Sequence, residues 1–120
     1  MQIKLPWPDP RLFPNWKRSH HWSQYRPAEE KARKDGGNLT REAISHDKRI
    51  QIVSGGQIRL RITFTPPDRR KRDDDGMIGA IKNWRDGIAD ALKCDDSRFR
   101  CEYVIAEPKK PGGVLVEVFE

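Results

Sequence analysis

Polar and apolar residues alternate without a break from Gln57 to Thr65, QIRLRITFT. Ile58, Leu60, Ile62 and Phe64 fall on one side, and Gln57, Arg59, Arg61, Thr63 and Thr65 on the other. Successive side chains of an extended chain point to opposite faces, so this stretch predicts a half-buried strand with one wet, basic face. Ser54-Gly55-Gly56 supplies a turn signal before it, and Pro66 and Pro67, which lack the amide hydrogen a ladder needs, end it. Gln2 to Leu5, QIKL, alternates ahead of Pro6 and Pro8 and predicts a short first strand. Phe99 to Ala106 and Val114 to Phe119 read as closing strands joined by Pro108 to Gly113.

Between the strands the period lengthens. Met77, Ile81, Trp84, Ile88 and Leu92 recur at spacings of four and three, which predicts one helix from about Asp75 to Lys93 with a single apolar stripe. SQYRPAEEKARK, from Ser23, suits a helix to about Lys34, with Ser23 or Arg26 near the cap and Pro27 in the first turn. Gly36 and Gly37 either end that helix or are carried within it toward a second helical stretch, Leu39 to Lys48. Paired glycines cost only about 2 kcal/mol relative to alanine, so both readings stay open. Residues 7 to 22, rich in Pro, Trp, Arg and His, read as an irregular cationic loop whose last residue, Trp22, is assigned to core packing. The order is strand, helix, strand, helix, strand, strand. It predicts a single α+β domain over residues 1–120, with helices packed on one side of a small mixed sheet.

Composition adds a constraint. Hydrophobic and charged residues each make up 35% of the chain, so the core is thin and a partner, such as a second copy, is expected to help stabilise it. The formal charge of +6 favours polyanions, nucleic acid foremost. Acidic membrane surfaces fit the charge alone, but the cations occupy a loop and a strand rather than an amphipathic helix. No run approaches the ~20 apolar residues a membrane span needs, and MQIKLPWPDP lacks a signal-peptide core, so a soluble cytoplasmic protein is expected. Cys94 and Cys101, seven apart without a secretory context, read as reduced thiols; no CxxC or HxxxH pairing points to zinc.

The candidate chemistry sits in TPPDRRKRDDDG, residues 65–76, where Arg69, Arg70, Lys71 and Arg72 stand directly before Asp73, Asp74 and Asp75. One carboxylate suffices to cap a helix start, and acids there commonly do no more than that. Three adjacent ones repel each other, and a hard divalent cation relieves the repulsion through oxygen ligands. In an unbroken helix Lys82 would lie only about 20° around from Asp75, on the outward face with Gly79 and Asp86, and Gly79 would leave room for a backbone or phosphate. Asp95 and Asp96 follow the helix. A straight helix over the whole interval would hold them roughly 27 Å from Asp75, so convergence requires an early helix end, a fold-back or a partner subunit.

PPDRRKRDDDG, then a helix with Lys82, then ADALKCDDSRF and two closing strands, with LPWP at Leu5 to Pro8 near the start, resembles the RusA-like family of Holliday-junction resolvases, common in prophages. The resemblance spans nearly the whole chain. It implies a homodimeric endodeoxyribonuclease that makes paired symmetric cuts in four-way DNA during recombination and repair. It further implies that Asp73, Asp75 and Asp96 bind Mg²⁺, with Mn²⁺ as substitute, and that Lys82 is needed for cleavage. Arg69, Arg70, Lys71 and Arg72, with Lys17 and Arg18 of the cationic loop, are then expected to hold DNA backbones. Trp16, His20, His21 and Trp22 offer rings that could stack on exposed bases, but core packing of Trp22 and ordinary surface exposure of the histidines weigh more. The competing reading is a noncatalytic basic nucleic-acid-binding module in which the acids only cap helices and restrain nonspecific binding.

Overall fold

The computed structural model describes residues 1–46 and 56–119. Four strands, β1 (Gln2–Leu5), β2 (Ile58–Thr65), β3 (Phe99–Ile105) and β4 (Gly113–Phe119), form one mixed sheet in the order β1-β4-β2-β3. β4 runs antiparallel to both its neighbours, whereas β2 and β3 are parallel, so the segment between them crosses over the sheet as a helical connection. This is an α+β fold. The predicted alternation holds: Ile58, Leu60, Ile62 and Phe64 of β2 are buried with Ile3 and Leu5 of β1 and Val114, Val116 and Val118 of β4.

The other face of the sheet is not simply basic. Register sets Arg61 opposite Glu102 on one side and Glu117 on the other, with ion-pair distances of 3.5 and 4.0 Å. The guanidinium groups of Arg59 and Arg61 also lie 5.5 and 5.2 Å from the centre of the Phe119 ring. Cross-strand acids and one aromatic ring therefore take up much of the charge that β2 alone would present.

The largest departure from the sequence pattern is α2, which runs unbroken from Trp22 to His46 with Pro27 inside it rather than in its first turn. Gly36 and Gly37 neither end nor interrupt it; both are buried. Their reason is external to α2. A Cβ at Gly36 would sit 2.6 Å from the carbonyl oxygen of Trp84, and one at Gly87 would sit 2.0 Å from the carbonyl oxygen of Arg33. Glycines thus let the backbones of α2 and α4 (Lys82–Leu92) cross at a distance no side chain permits. Two polar contacts flank the crossing. Arg33 donates to both carboxylate oxygens of Asp90 at 2.7 and 2.9 Å, and buried Thr40 donates its hydroxyl to the carbonyl of Gly36 at 2.7 Å. The Leu39–Lys48 stretch continues α2 as far as His46; its last two residues, with Ser54-Gly55, lie outside the described residues.

Two further elements correct the predicted order. Residues 7 to 22 are not irregular throughout: Pro10–Leu12 form a 3₁₀ turn and Pro14–Arg18 form α1. The single helix predicted from Asp75 to Lys93 is two helices, α3 (Asp74–Ala80) and α4, separated at Ile81, whose φ of −99° and ψ of 3° are not helical. The apolar stripe survives the break because Met77, Ile81, Trp84, Ile88 and Leu92 are all buried against the sheet side. A hydrophobic repeat reports which residues face the core, and a local change of axis leaves that readout intact. No helix among the described residues is long and apolar enough to cross a membrane.

The crossing yields a clear expectation. Glycine to alanine in a helix interior ordinarily stabilises by about 1 kcal/mol, but overpacking against backbone costs about 1–3 kcal/mol or more. At Gly87 the neighbour is a carbonyl only 2.0 Å away, so the clash wins. Gly87→Ala is expected to destabilise the fold by about 2 kcal/mol or more in urea unfolding.

Candidate metal and nucleic-acid site

The loop that leaves β2 is organised by an acid that the charge run conceals. Asp68 accepts the backbone amide of Arg70 at 2.9 Å and a guanidinium nitrogen of Arg72 at 2.8 Å. Arg72 also donates to the carbonyls of Asp68 and Arg70 at 3.1 and 3.0 Å, and its guanidinium stacks 5.3 Å from the Trp7 ring. Its side chain is only 15% exposed. Arg72 is therefore a structural staple of the loop, not the free phosphate contact expected of it. The amide of Arg70, and after it the Arg72 guanidinium, hold the Asp68 carboxyl below the usual carboxylate range. The sequence signal for this was present: an Asp followed at the second and fourth positions by cations, just after two prolines, is an Asx-type turn.

Arg69, Arg70 and Lys71 stay exposed. Arg70 makes only a long 4.0 Å approach to Asp68, and Arg69 and Lys71 have no side-chain partner among the described residues. The two other predicted cations differ from each other. Lys17 is committed to Glu29 at 2.6 Å and lies over the Tyr25 ring, whereas Arg18 is exposed and meets only the side chain of Asn15, at 3.2 Å.

The three aspartates divide their tasks. Asp73 is the N-cap of α3 and accepts the Gly76 amide at 2.5 Å through one carboxylate oxygen. Asp74 and Asp75, in the first turn, are exposed and unpaired among the described residues although four cations precede them. Capping thus accounts for one carboxylate of three. The same division recurs in the later pair. Asp95 caps a 3₁₀ turn by accepting the Ser97 amide at 2.8 Å, and that amide is the first cause lowering its carboxyl from the ordinary value. Asp96 caps nothing, but its side chain hydrogen-bonds the Asp95 carboxyl and helps to lower it.

Lys82 opens α4, is exposed, and has no partner among the described residues. A cation at a helix N-terminus opposes the macrodipole at a cost of about 0.3–1 kcal/mol, so local stability does not explain it. The 20° alignment with Asp75 holds only for an unbroken helix, and the Ile81 break removes that basis. Gly79 is not open to a ligand either. A Cβ there would lie 2.7 Å from the ring of Pro14, because α1 packs on α3 at that point.

Topology separates the acids. Asp73 to Asp75 follow the C-terminal end of β2, and Asp95 and Asp96 precede the N-terminal start of the parallel strand β3. Among the described residues no three His, Cys, Asp or Glu side chains gather as a set able to hold a metal ion. Asp73, with one carboxylate oxygen outside the cap bond, and exposed Asp75 are the kind of donors that Mg²⁺ takes alongside waters and phosphate oxygens.

No family model matches the chain. It is 36% identical over 114 residues to an uncharacterized protein of Xylella fastidiosa (strain Temecula1), an alignment covering 95% of this chain and 72% of that protein.

Because Asp68 has a lowered carboxyl value, its contribution to loop order is complete above the ordinary carboxylate range and fades as pH falls through the lowered value. Asp68→Ala is expected to remove that acid-side dependence. Hydrogen exchange of the Arg70 amide should then be fast at neutral pH, while exchange within α2 is unchanged.

Proposed function

We propose that this chain, which belongs to the same family as the Xylella protein, is a metal-dependent endodeoxyribonuclease that resolves four-way DNA junctions as a homodimer. The observation that carries the reading is the surplus of unneutralised carboxylates on α3. Four cations lie within six residues of Asp75, yet the ion pairs of that loop go to Asp68, and Asp74 and Asp75 remain bare. Asp73 and Asp75 would hold a divalent cation, which when bound would acidify a water and polarise the scissile phosphate. Arg69, Arg70 and Lys71 hold the phosphate backbone beside that point, a salt-dependent and largely sequence-independent grip. Lys82 stabilises charge on the phosphorane or on the leaving oxygen.

Asp96 completes the site from the second copy. β3 is an edge strand, and pairing it antiparallel with β3 of another copy sets the start of one strand beside the end of the other. That end carries Val104 and Ile105, 37% and 49% exposed, next to a cleft of about 350 Å³ lined by Asp68, Arg69, Arg70, Arg72 and Met77. Two sites related by a twofold axis match two symmetric cuts.

With Mg²⁺ and a four-way junction, Asp75→Asn is expected to abolish cleavage while binding is kept or tightened, since a charge that repels phosphate has gone. An unmutated protein that cuts no branched DNA with Mg²⁺ or Mn²⁺ leaves the noncatalytic module standing instead. Mixing Asp75→Asn with Asp96→Asn chains distinguishes the source of Asp96. Shared sites regain one intact centre and nick one strand, whereas sites built within one chain stay dead.

A further inference from the structure

The end of α1 and the start of α2 bring together aromatic rings that lie outside the hydrophobic core, Trp16 half-buried and His20, His21 and Trp22 exposed. Trp22, expected in the core, is instead 53% exposed. The guanidinium of Arg26 lies 5.4 Å from its ring centre, and the His21 ring lies 5.4 Å away at 37°. One turn earlier, Trp16 and His20 stack with centroids 3.5 Å apart and planes within 2°.

Both histidine rings are held in place by the backbone. His20 Nδ1 is 2.7 Å from the carbonyl oxygen of Trp16, which requires the proton on that nitrogen. His21 Nδ1 accepts the amide of Ser23 at 3.2 Å, which requires the opposite arrangement. Single exposed aromatics are ordinary on protein surfaces. Here two ring pairs are pre-oriented, both histidines are exposed, and Arg18 and Arg26 stand beside them.

Flat rings interleaved with cations suit a polyanion that presents aromatic faces. In a duplex the base faces are covered by their neighbours, so rings of this kind find partners only where bases are unpaired. Charge complementarity points the same way: Arg18 is exposed and bonded only to Asn15, and the chain carries +6 overall, although Arg26 is paired with Glu30 at 3.0 Å.

We propose that the α1–α2 corner is a platform for unpaired nucleotides, on which Trp22 and the Trp16–His20 stack hold bases of single-stranded or junction-exposed DNA. The inference rests on the nucleic-acid reading of the protein but not on its nuclease chemistry. The platform would grip the open centre of a branched substrate while the α3 acids work on its arms.

The test uses the full chain in EDTA, with anisotropy of a labelled 20-nucleotide oligo(dT) compared with a blunt duplex of equal length. Trp22→Ala is expected to weaken oligo(dT) binding about 5- to 150-fold, the range of one stacked base, while leaving duplex affinity within about twofold. Trp22→Tyr keeps a ring and should restore most of the loss. Trp16→Ala should act in the same direction. Equal losses on both DNAs, no loss on oligo(dT), or an unmutated protein that binds no single strand each overturn the platform. Cleavage of a junction with Mg²⁺ by the same preparation is read separately, so a lost platform with intact cleavage and a lost nuclease with an intact platform are distinct results.

Discussion

The close crossing of α2 and α4 is the constraint on which the rest of the molecule hangs. The helices meet backbone to backbone at Gly36, Gly37 and Gly87, and the Arg33–Asp90 pair flanks the contact. A chain with so thin an apolar core gains more from a close crossing than from larger side chains, since close packing recovers dispersion over the whole interface. Once α4 is fixed on α2, Trp84 and Ile88 are committed to the space between helices and sheet. The segment ahead of α4 must then turn at Ile81 to reach the end of β2, where α3 begins.

That path also determines how the charges are arranged. The run of cations and acids divides into three parts. Asp68 and Arg72 pin the loop against Trp7, Asp73 closes the start of α3, and Arg69, Lys71, Asp74 and Asp75 are left facing water. Opposite charges adjacent in sequence do not neutralise each other here: Arg72 is paired with Asp68, four residues before it, and Arg69, Arg70 and Lys71 stay exposed. A related division appears at Asp95 and Asp96, where the first caps a 3₁₀ turn and the second hydrogen-bonds it.

Much of this was legible beforehand. The strands were, because a period of two survives any sheet order, and so was the burial of Met77, Ile81, Trp84, Ile88 and Leu92, because a stripe names the core side of a helix whatever its axis. Trp22 misled, since hydrophobicity alone assigns an indole to the core, yet as the first residue of α2 it is 53% exposed. The glycine pair misled in the opposite sense. Local propensity marks Gly36-Gly37 as a stop, whereas their purpose lies on another helix some fifty residues away in sequence.

By itself the sequence determined the α+β class, the buried face of β2 and the apolar stripe from Met77 to Leu92, the free state of Cys94 and Cys101, and the placing of acids at a helix start beside a basic loop. These depend on periodicity and on near neighbours, which a linear string records. The tertiary structure alone decided that α2 is continuous, that α3 and α4 are separate, and that Asp96 precedes the strand start while Asp75 follows the strand end of the parallel pair β2–β3. The helix crossing and the strand pairing join residues distant in sequence, where burial and backbone approach outweigh local preference by about 1–3 kcal/mol.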